Sequence, residues 1–437
     1  MFDSSKLMYS SGGSGGNTWG IYDYAIDGSL RFNDDDSAYL SWTPASAGNR
    51  KTWTWSGWVK LGTPSTNSLF ASYQDTSNRL YLHFTPTSLR LYGTLGGTTI
   101  DVMPSALYRD NSAWYHVVCS VDTTQATAAD RVKFYVNGDY LSDLTKTTYP
   151  AQNAEMQINS TEAIHIGYRG DSTVYNFDGY MAEVNFIDGT ALDATSFGEF
   201  KSGVWIPKAY SGSYGTNGFY LPLTSDANDD SGNGNNWTAT NLASTDYVLD
   251  SPTNNFATLN PLDKGSAVTL SEGNVKLALS ASQSTVRSTF AIPSSGKWYW
   301  EFTQTVSTQV VVGIATQDAS LDNYLGSDAY GWGYGGSTGV IYHNGGASAY
   351  GSTYTTGDVV GVALDMDAGN LYFYKNNTIQ NSGAAAATSL TSQYFSSSGS
   401  QEGAGVFNFG QDSSFAGNKT AQGNTDDNGY GDFYYAP

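Results

Sequence analysis

Positive charge is scarce in this chain: 20 Lys and Arg stand against 40 Asp and Glu among 437 residues, a formal net charge of −20. So acidic a surface repels phosphate backbones and anionic membrane surfaces alike, which argues against nucleic acid as a partner. Cysteine is nearly missing. The single Cys119, in the apolar run "WYHVVCSV", allows no intrachain disulfide and reads as a small buried hydrophobe, in keeping with folding in a reducing cytoplasm. No run approaches the apolar length of a bilayer-spanning helix. The opening "MFDSSKLMYSSGGSGGNTWG" has neither the basic start nor the apolar middle of a secretory signal, so neither export nor membrane insertion is expected.

Extended helical periodicity is missing too, and what fills the chain instead is aromatic and turn-forming: 49 Gly, 32 Tyr, 19 Phe and 11 Trp. Aromatic and β-branched side chains suit pleated, half-buried surfaces, while Gly and Asn supply tight turns, so the fold class expected is all-β. Residues 1–18 are small and polar and read as a flexible N-terminal arm. Short alternating runs such as "TWTWSGWVKL", "RLYLHF", "WYHVVCSVD" and "GYMAEVNFIDG" fill 19–210, the pattern of an antiparallel sandwich. Residues 211–265 hold Pro222, Pro252 and Pro261 and the apolar run Phe219-Tyr220-Leu221; they read as a structured connector able to lend a strand to a neighbouring sheet. A second strand-rich region, "KWYWEFTQT" through "AGVFNFG", fills 266–412. The tail 413–437 ends in Phe433, Tyr434 and Tyr435, which are expected to dock.

Each strand-rich region contains one conspicuous hairpin. "RVKFYVNGDYL" turns on Asn137-Gly138, a pair that accepts the positive φ values of a primed turn, and "NLYFYKNNTIQ" runs to the same rhythm. In the first region a Trp-His strand, the Tyr-Val-Asn-Gly hairpin and "FDGYMAEVNFIDG" follow one another, an order that resembles the laminin-G-like, concanavalin A-like jelly roll family. In the second, "GKWYWEF", "VVVGIAT", "YGWGY", "GDVVGVALDMDAGNLYFYKNN" and "VFNFG" resemble the SPRY family. The two resemblances together imply two antiparallel β-sandwiches, a concanavalin A-like jelly roll followed by a SPRY-like sandwich. Their pairing also resembles an arrangement in virion proteins of tailed bacteriophages: tail fibres, spikes and capsid decorations.

Catalytic patterns are sparse. Retaining glycoside hydrolases on concanavalin-like folds need two carboxylates about 5 Å apart on one strand face. The glutamates are scattered, and the odd spacing of Glu183 and Asp188 puts them on opposite faces. Asp365 and Asp367 share a face but lead directly into a hairpin, where Asp serves local hydrogen bonding. The four histidines, His83, His116, His165 and His343, lie on separate strands without metal spacing. The reading is therefore non-enzymatic.

Binding candidates are aromatic and acidic. Alternation sends Trp53 and Trp55 to one face and Trp58 to the other, where it could contact a sugar ring, although packing is the commoner use of such a residue. In "YGWGYGG", Trp332 and Tyr334 share one side of a glycine-rich stretch and are candidates for a loop-borne contact surface, the alternative being that they plug the end of the sandwich. Calcium, a frequent partner of laminin-G-like domains, is the implied cofactor, with Asp34, Asp36 and Asp178 as ligands. "DANDDSGNG" places Asp226, Asn228 and Asp230 like the start of an EF-hand loop but lacks its Gly and terminal Glu, and reads as a solvated turn.

The function expected from the resemblance is a virion structural protein, folded in the host cytoplasm, released by lysis and displayed on the particle surface. There it would adhere to host glycan or anchor other virion proteins, as a homo-oligomer and, in fibres, a trimer. Two alternatives stand beside it: a cellular SPRY-type protein-interaction module, and a glycan-degrading glycoside hydrolase.

Overall fold

The computed structural model describes residues 21–280, 283–306, 309–400 and 402–437. The arm at 1–18 lies outside them. The chain divides into two compact units, one ending at Asn255 and the other taking up from Phe256. Both are built from antiparallel strands, with helix confined to short 3-10 turns and no helix among the described residues long and apolar enough to cross a membrane.

The first unit packs two eight-stranded sheets. The central strand of one, Thr52–Leu61, lies between Trp114–Asp122 and Gly179–Asp188. The other runs from Leu144–Thr148 at one edge to Thr238–Thr240 at the other. Alternation along "TWTWSGWVKL" sends Trp53, Trp55 and Val59 into the core, where Trp55 stacks on Phe70 of the facing sheet at 6.3 Å. Gly57 makes room for the ring, since a Cβ there would stand 2.8 Å from Trp55. Truncating either buried tryptophan would cost about 3–5 kcal/mol.

The segment read as a connector is shared between the units. Phe219–Leu221 pairs with Gly179–Asp188, Thr238–Thr240 with Tyr39–Trp42, and Tyr247–Val248 with Ser29–Phe32, so its first part extends both sheets of the first unit. Its "DANDDSGNG" turn is organised by Asp229, whose carboxylate accepts from the backbone N–H of Tyr220, Ser231 and Asn235, each at 2.9 Å. From Phe256 onward the chain enters the second unit, where Leu259–Lys264 pairs with Ser284–Ile292.

The second unit packs two seven-stranded sheets. The central strand of one, Lys297–Val306, lies between Gly403–Asn408 and Val359–Asp365, and beyond the latter comes Asn370–Lys375. Trp298, Trp300 and Phe302 face the core, as do Leu371 and Phe373.

The two hairpins use one device. Asn137 and Gly138 have φ of 49° and 85°, and Asn376 and Asn377 have 46° and 63°, the left-handed pair of a type I′ turn. In each, the first Asn also binds the next strand inward. Asn137 donates its N–H to the His116 carbonyl and accepts the His116 N–H on its side chain, at 2.9 and 2.8 Å. Asn376 does the same with Val359, at 2.8 and 2.9 Å. One residue type thus supplies both the turn conformation and a side-chain acceptor that ties the turn to the sheet.

Candidate functional site

A concave feature with aromatic walls lies on the outer face of the second unit's sheet. Along Lys297–Val306 the residues that alternate with the core tryptophans, Lys297, Tyr299 and Glu301, point outward. On Asn370–Lys375 the outward set is Asn370, Tyr372 and Tyr374. Between them Val359–Asp365 presents only Gly361, Ala363 and Asp365. The register places Tyr299, Ala363 and Tyr372 in one row and Glu301, Gly361 and Tyr374 in the next. Small residues flanked by tyrosines make a trough. Gly361 is required by the geometry, because a Cβ there would lie 2.7 Å from the Tyr299 hydroxyl.

The resulting cleft has a volume of about 400 Å³, with Lys297 and Asp365 at one end and Ala436 and Pro437 along one side. The Lys297 ammonium lies 3.8 Å from Asp365 and is 66 % exposed, so this ion pair adds little stability and leaves both charges addressable. Asp365 also accepts the Ala368 N–H and Asp367 the Gly296 N–H, the turn-holding use expected of both.

Glu301 fixes the trough's side wall. It faces away from the core yet is fully buried, because the segment after Asp432 lies over it. Its carboxylate accepts from the Tyr434 and Tyr435 N–H groups at 2.8 Å each, from Asn408 at 3.1 Å and from the Tyr299 hydroxyl at 3.1 Å. Burial pushes its carboxyl up to about 7, against those four bonds, which favour the ionised form. Phe433 packs 5.6 Å from Tyr299 and closes the contact.

The residues singled out from the sequence lie elsewhere. Trp58 does face away from the core, but it is buried with Trp114, Tyr180 and Val248 in a secondary cluster, its ring 4.8 Å from His116, and offers no open face to a ligand. The loop reading of "YGWGYGG" is corrected: Gly331–Gly335 is a strand. Its glycines serve close packing, since a Cβ on Gly333 would stand 2.3 Å from Val311 and one on Gly331 2.9 Å from Leu325. Tyr334 is fully buried between Tyr354 and Phe373, its hydroxyl donating to the Ser352 carbonyl. Trp332 is half-buried and stacked on His343 at 4.1 Å.

The three aspartates do not assemble a calcium shell. Asp178 is buried against Gly62, whose N–H it accepts on its carbonyl, while its own N–H donates to Asn67. Asp34 and Asp36 have carboxyls raised by burial and by neighbouring acids, Asp35 and Asp246 respectively. Among the described residues no three His, Cys, Asp or Glu side chains converge as metal ligands.

Glu183 is at a β-bulge with φ of 53°, on the outer face, bonded to the hydroxyls of Tyr24 and Tyr220, and burial pushes it up to about 7. Asp188, at the strand end, instead holds Asn49, Asn159 and Asn217, so the two acids serve separate networks. Sequence reading missed the trough, although its signal is present: in "NLYFYK" the inward Leu371 and Phe373 leave Tyr372 and Tyr374 outward.

Comparison with known families agrees with this architecture. Residues 34–196 match the concanavalin A-like lectin/glucanases superfamily and residues 297–412 match the SPRY domain. The chain therefore carries a concanavalin A-like domain followed by a SPRY domain. Similar proteins include SPRY domain-containing SOCS box protein 3 of Xenopus tropicalis, 39% identical over 93 residues, which are 19% of this chain and 26% of that one. Ran-binding protein 9 of Xenopus laevis is 32% identical over 127 residues, 26% of this chain and 23% of that one. The chain thus spans about a quarter of the curated relatives' length. The SPRY domain of human HERC1 aligns with a TM-score of 0.31 at 19% identity, over 34% of this chain and 96% of that one.

Proposed function

We propose that this is a non-enzymatic interaction protein whose SPRY unit holds an extended segment of a partner polypeptide in the tyrosine trough. The observation that carries the reading is the trough itself: aromatic walls, a floor at Ala363, and phenol and ammonium donors at its rim, within the domain that matches SPRY. Aromatic surfaces with a few convergent polar groups are the usual make-up of a recognition cleft. The SPRY matches favour this interaction-module reading over the virion component, which rests on the resemblance of the domain pairing alone.

The test uses the full chain as bait beside a Tyr372→Ala/Tyr374→Ala variant and a control changed in the other unit, Tyr135→Ala. A partner held by the wild type and the control but lost by the double variant, and then shown to bind directly when purified, supports the reading. Equal binding of that purified partner by all three proteins places the contact surface outside the trough and overturns it.

A further inference from the structure

We infer that the trough selects a proline-bearing segment in an extended, polyproline-like conformation; this deepens the function proposed above and rests on it. Width decides first between extended chain and helix. Tyr299 and Tyr372 stand two strands apart, roughly 9.5 Å between strand axes before the rings narrow the gap, whereas a helix with its side chains is about 10–12 Å across. An extended chain fits and a helix does not.

Hydrogen bonding then decides which extended chain. The trough lies on the face of the sheet, and the backbone groups of its floor strand are engaged in the pairings with both neighbouring strands. A β-strand laid there would find no ladder for its N–H groups. The rim's donors are the Lys297 ammonium and the phenol hydroxyls of Tyr372 and Tyr374, of which the Tyr372 hydroxyl also accepts from Asn370, while the Asp365 carboxyl at the end is already paired with Lys297 and the Asn377 amide can donate or accept. A polyproline-type segment matches those donors. Proline has no N–H to satisfy, the chain makes no internal hydrogen bonds, and its carbonyls are free to accept. Its compact, apolar pyrrolidine rings pack against aromatic faces, the mode by which aromatic-lined grooves take such ligands.

The chain itself supplies a precedent at the same wall. After Glu301 has caught the N–H groups of Tyr434 and Tyr435, the next two residues, Ala436 and Pro437, lie along the cleft as part of its lining. A partner segment entering beside them would meet Tyr299, Tyr372 and Tyr374.

The experiment is fluorescence anisotropy of the full chain with a short fluorescein-labelled peptide of Ser-Pro-Pro repeats and a matched peptide of Ser-Ala-Ala repeats. The proline probe is expected to bind at least about tenfold more tightly, and Tyr374→Ala to weaken it by a similar factor, with Tyr374→Phe as a milder change that keeps the ring. Ala363→Trp, which fills the floor without emptying any core position, is expected to block binding. Equal affinity for both probes overturns the proline selection and leaves the interaction reading standing. Proline-probe binding undiminished by Ala363→Trp puts the site elsewhere and overturns the inference. If neither probe binds, the inference falls, and whether the Tyr372/Tyr374 double variant still loses its partner decides separately whether the broader reading falls with it.

Discussion

The two units solve the same construction problem with the same parts and then cover their outer sheet faces differently. Each has a Trp-x-Trp strand at the centre of one sheet, with Trp53 and Trp55 in one core and Trp298 and Trp300 in the other, and each has an Asn-led hairpin bonded to the next strand. Outside the core they diverge. In the first, Lys60 points outward and is buried, its ammonium 2.7 Å from Asp250 and 2.8 Å from Asn255, while Trp114 donates to the other Asp250 oxygen at 3.0 Å. A later segment is thus pinned by an ion pair. In the second, the pinning group is the single carboxylate of Glu301, and its partners include two backbone N–H groups rather than a cation. A buried pair depends on both members being present, whereas a buried acid held by neutral donors responds to proton concentration.

The largest effect should come from breaking the first arrangement. Asp250→Ala leaves the Lys60 ammonium buried without its counter-charge and should cost about 3–5 kcal/mol, read by chemical denaturation of the first unit with the second unit's transition unmoved. Replacing both members, Lys60→Met with Asp250→Leu, should recover most of that loss. If the double change costs as much as the single one, packing rather than charge holds the segment.

Glu301→Ala should cost less, about 1–3 kcal/mol, because neutral donors are left behind rather than an ion. Hydrogen exchange at the Tyr434 and Tyr435 amides should rise while exchange in the core strands stays slow. Unchanged protection at those amides would break the comparison, since it would mean that Phe433 alone docks the segment.

The pH response sharpens the contrast. Folded Glu301 titrates at about 7 against 4.5 for an ordinary glutamate, so across pH 4.5 to 7 the folded second unit binds more protons than the unfolded chain. Its stability falls as pH rises through that window, and Glu301→Gln should flatten the slope. In the first unit, burial pulls His83 and His116 down to about 3 and His165 to about 4. The ring of His116 accepts from the Trp205 indole on Nδ1 and donates to Ser56 through Nε2, the neutral form. These groups gain protons on unfolding below pH 6.5, so stability is lost as pH falls, and over pH 5 to 7 three histidines outweigh Glu183, with the raised Asp34 and Asp36 also opposing them. Unfolding followed at pH 7 and pH 5 should show the two units shifting in opposite directions; a common shift would sink the account.

The stacking part of Trp332→Ala is smaller still: losing the stack on His343 should account for about 1 kcal/mol, read by denaturation as the difference from Trp332→Leu, which keeps apolar bulk. Millimolar calcium should leave both transitions where they are, since Asp34, Asp36 and Asp178 form no shared shell. An upward shift would require a site built from loop carbonyls.

Much of this was legible in the residues. Alternation in "TWTWSGWVKL" and "KWYWEF" sorted inward from outward side chains, and Asn137-Gly138 announced its turn, because pleating and left-handed backbone are local properties. The glycines of "YGWGYGG" misled, since a glycine that relieves crowding against Val311 and one that loosens a loop are written with the same letter.

What the sequence by itself determined was therefore the class of fold, the two sandwiches and, in the central Trp-x-Trp strands, the side of the sheet on which each aromatic would stand. What only the tertiary structure decided was which of the outward-facing aromatics would stay open. Trp58 is covered by residues near Val248, and Glu301 with much of Tyr299 is covered by the segment from Phe433, both far away along the chain. Tyr372 and Tyr374 keep a surface on the cleft. Periodicity is a property of neighbours within one strand, whereas cover is a property of segments that meet only after folding.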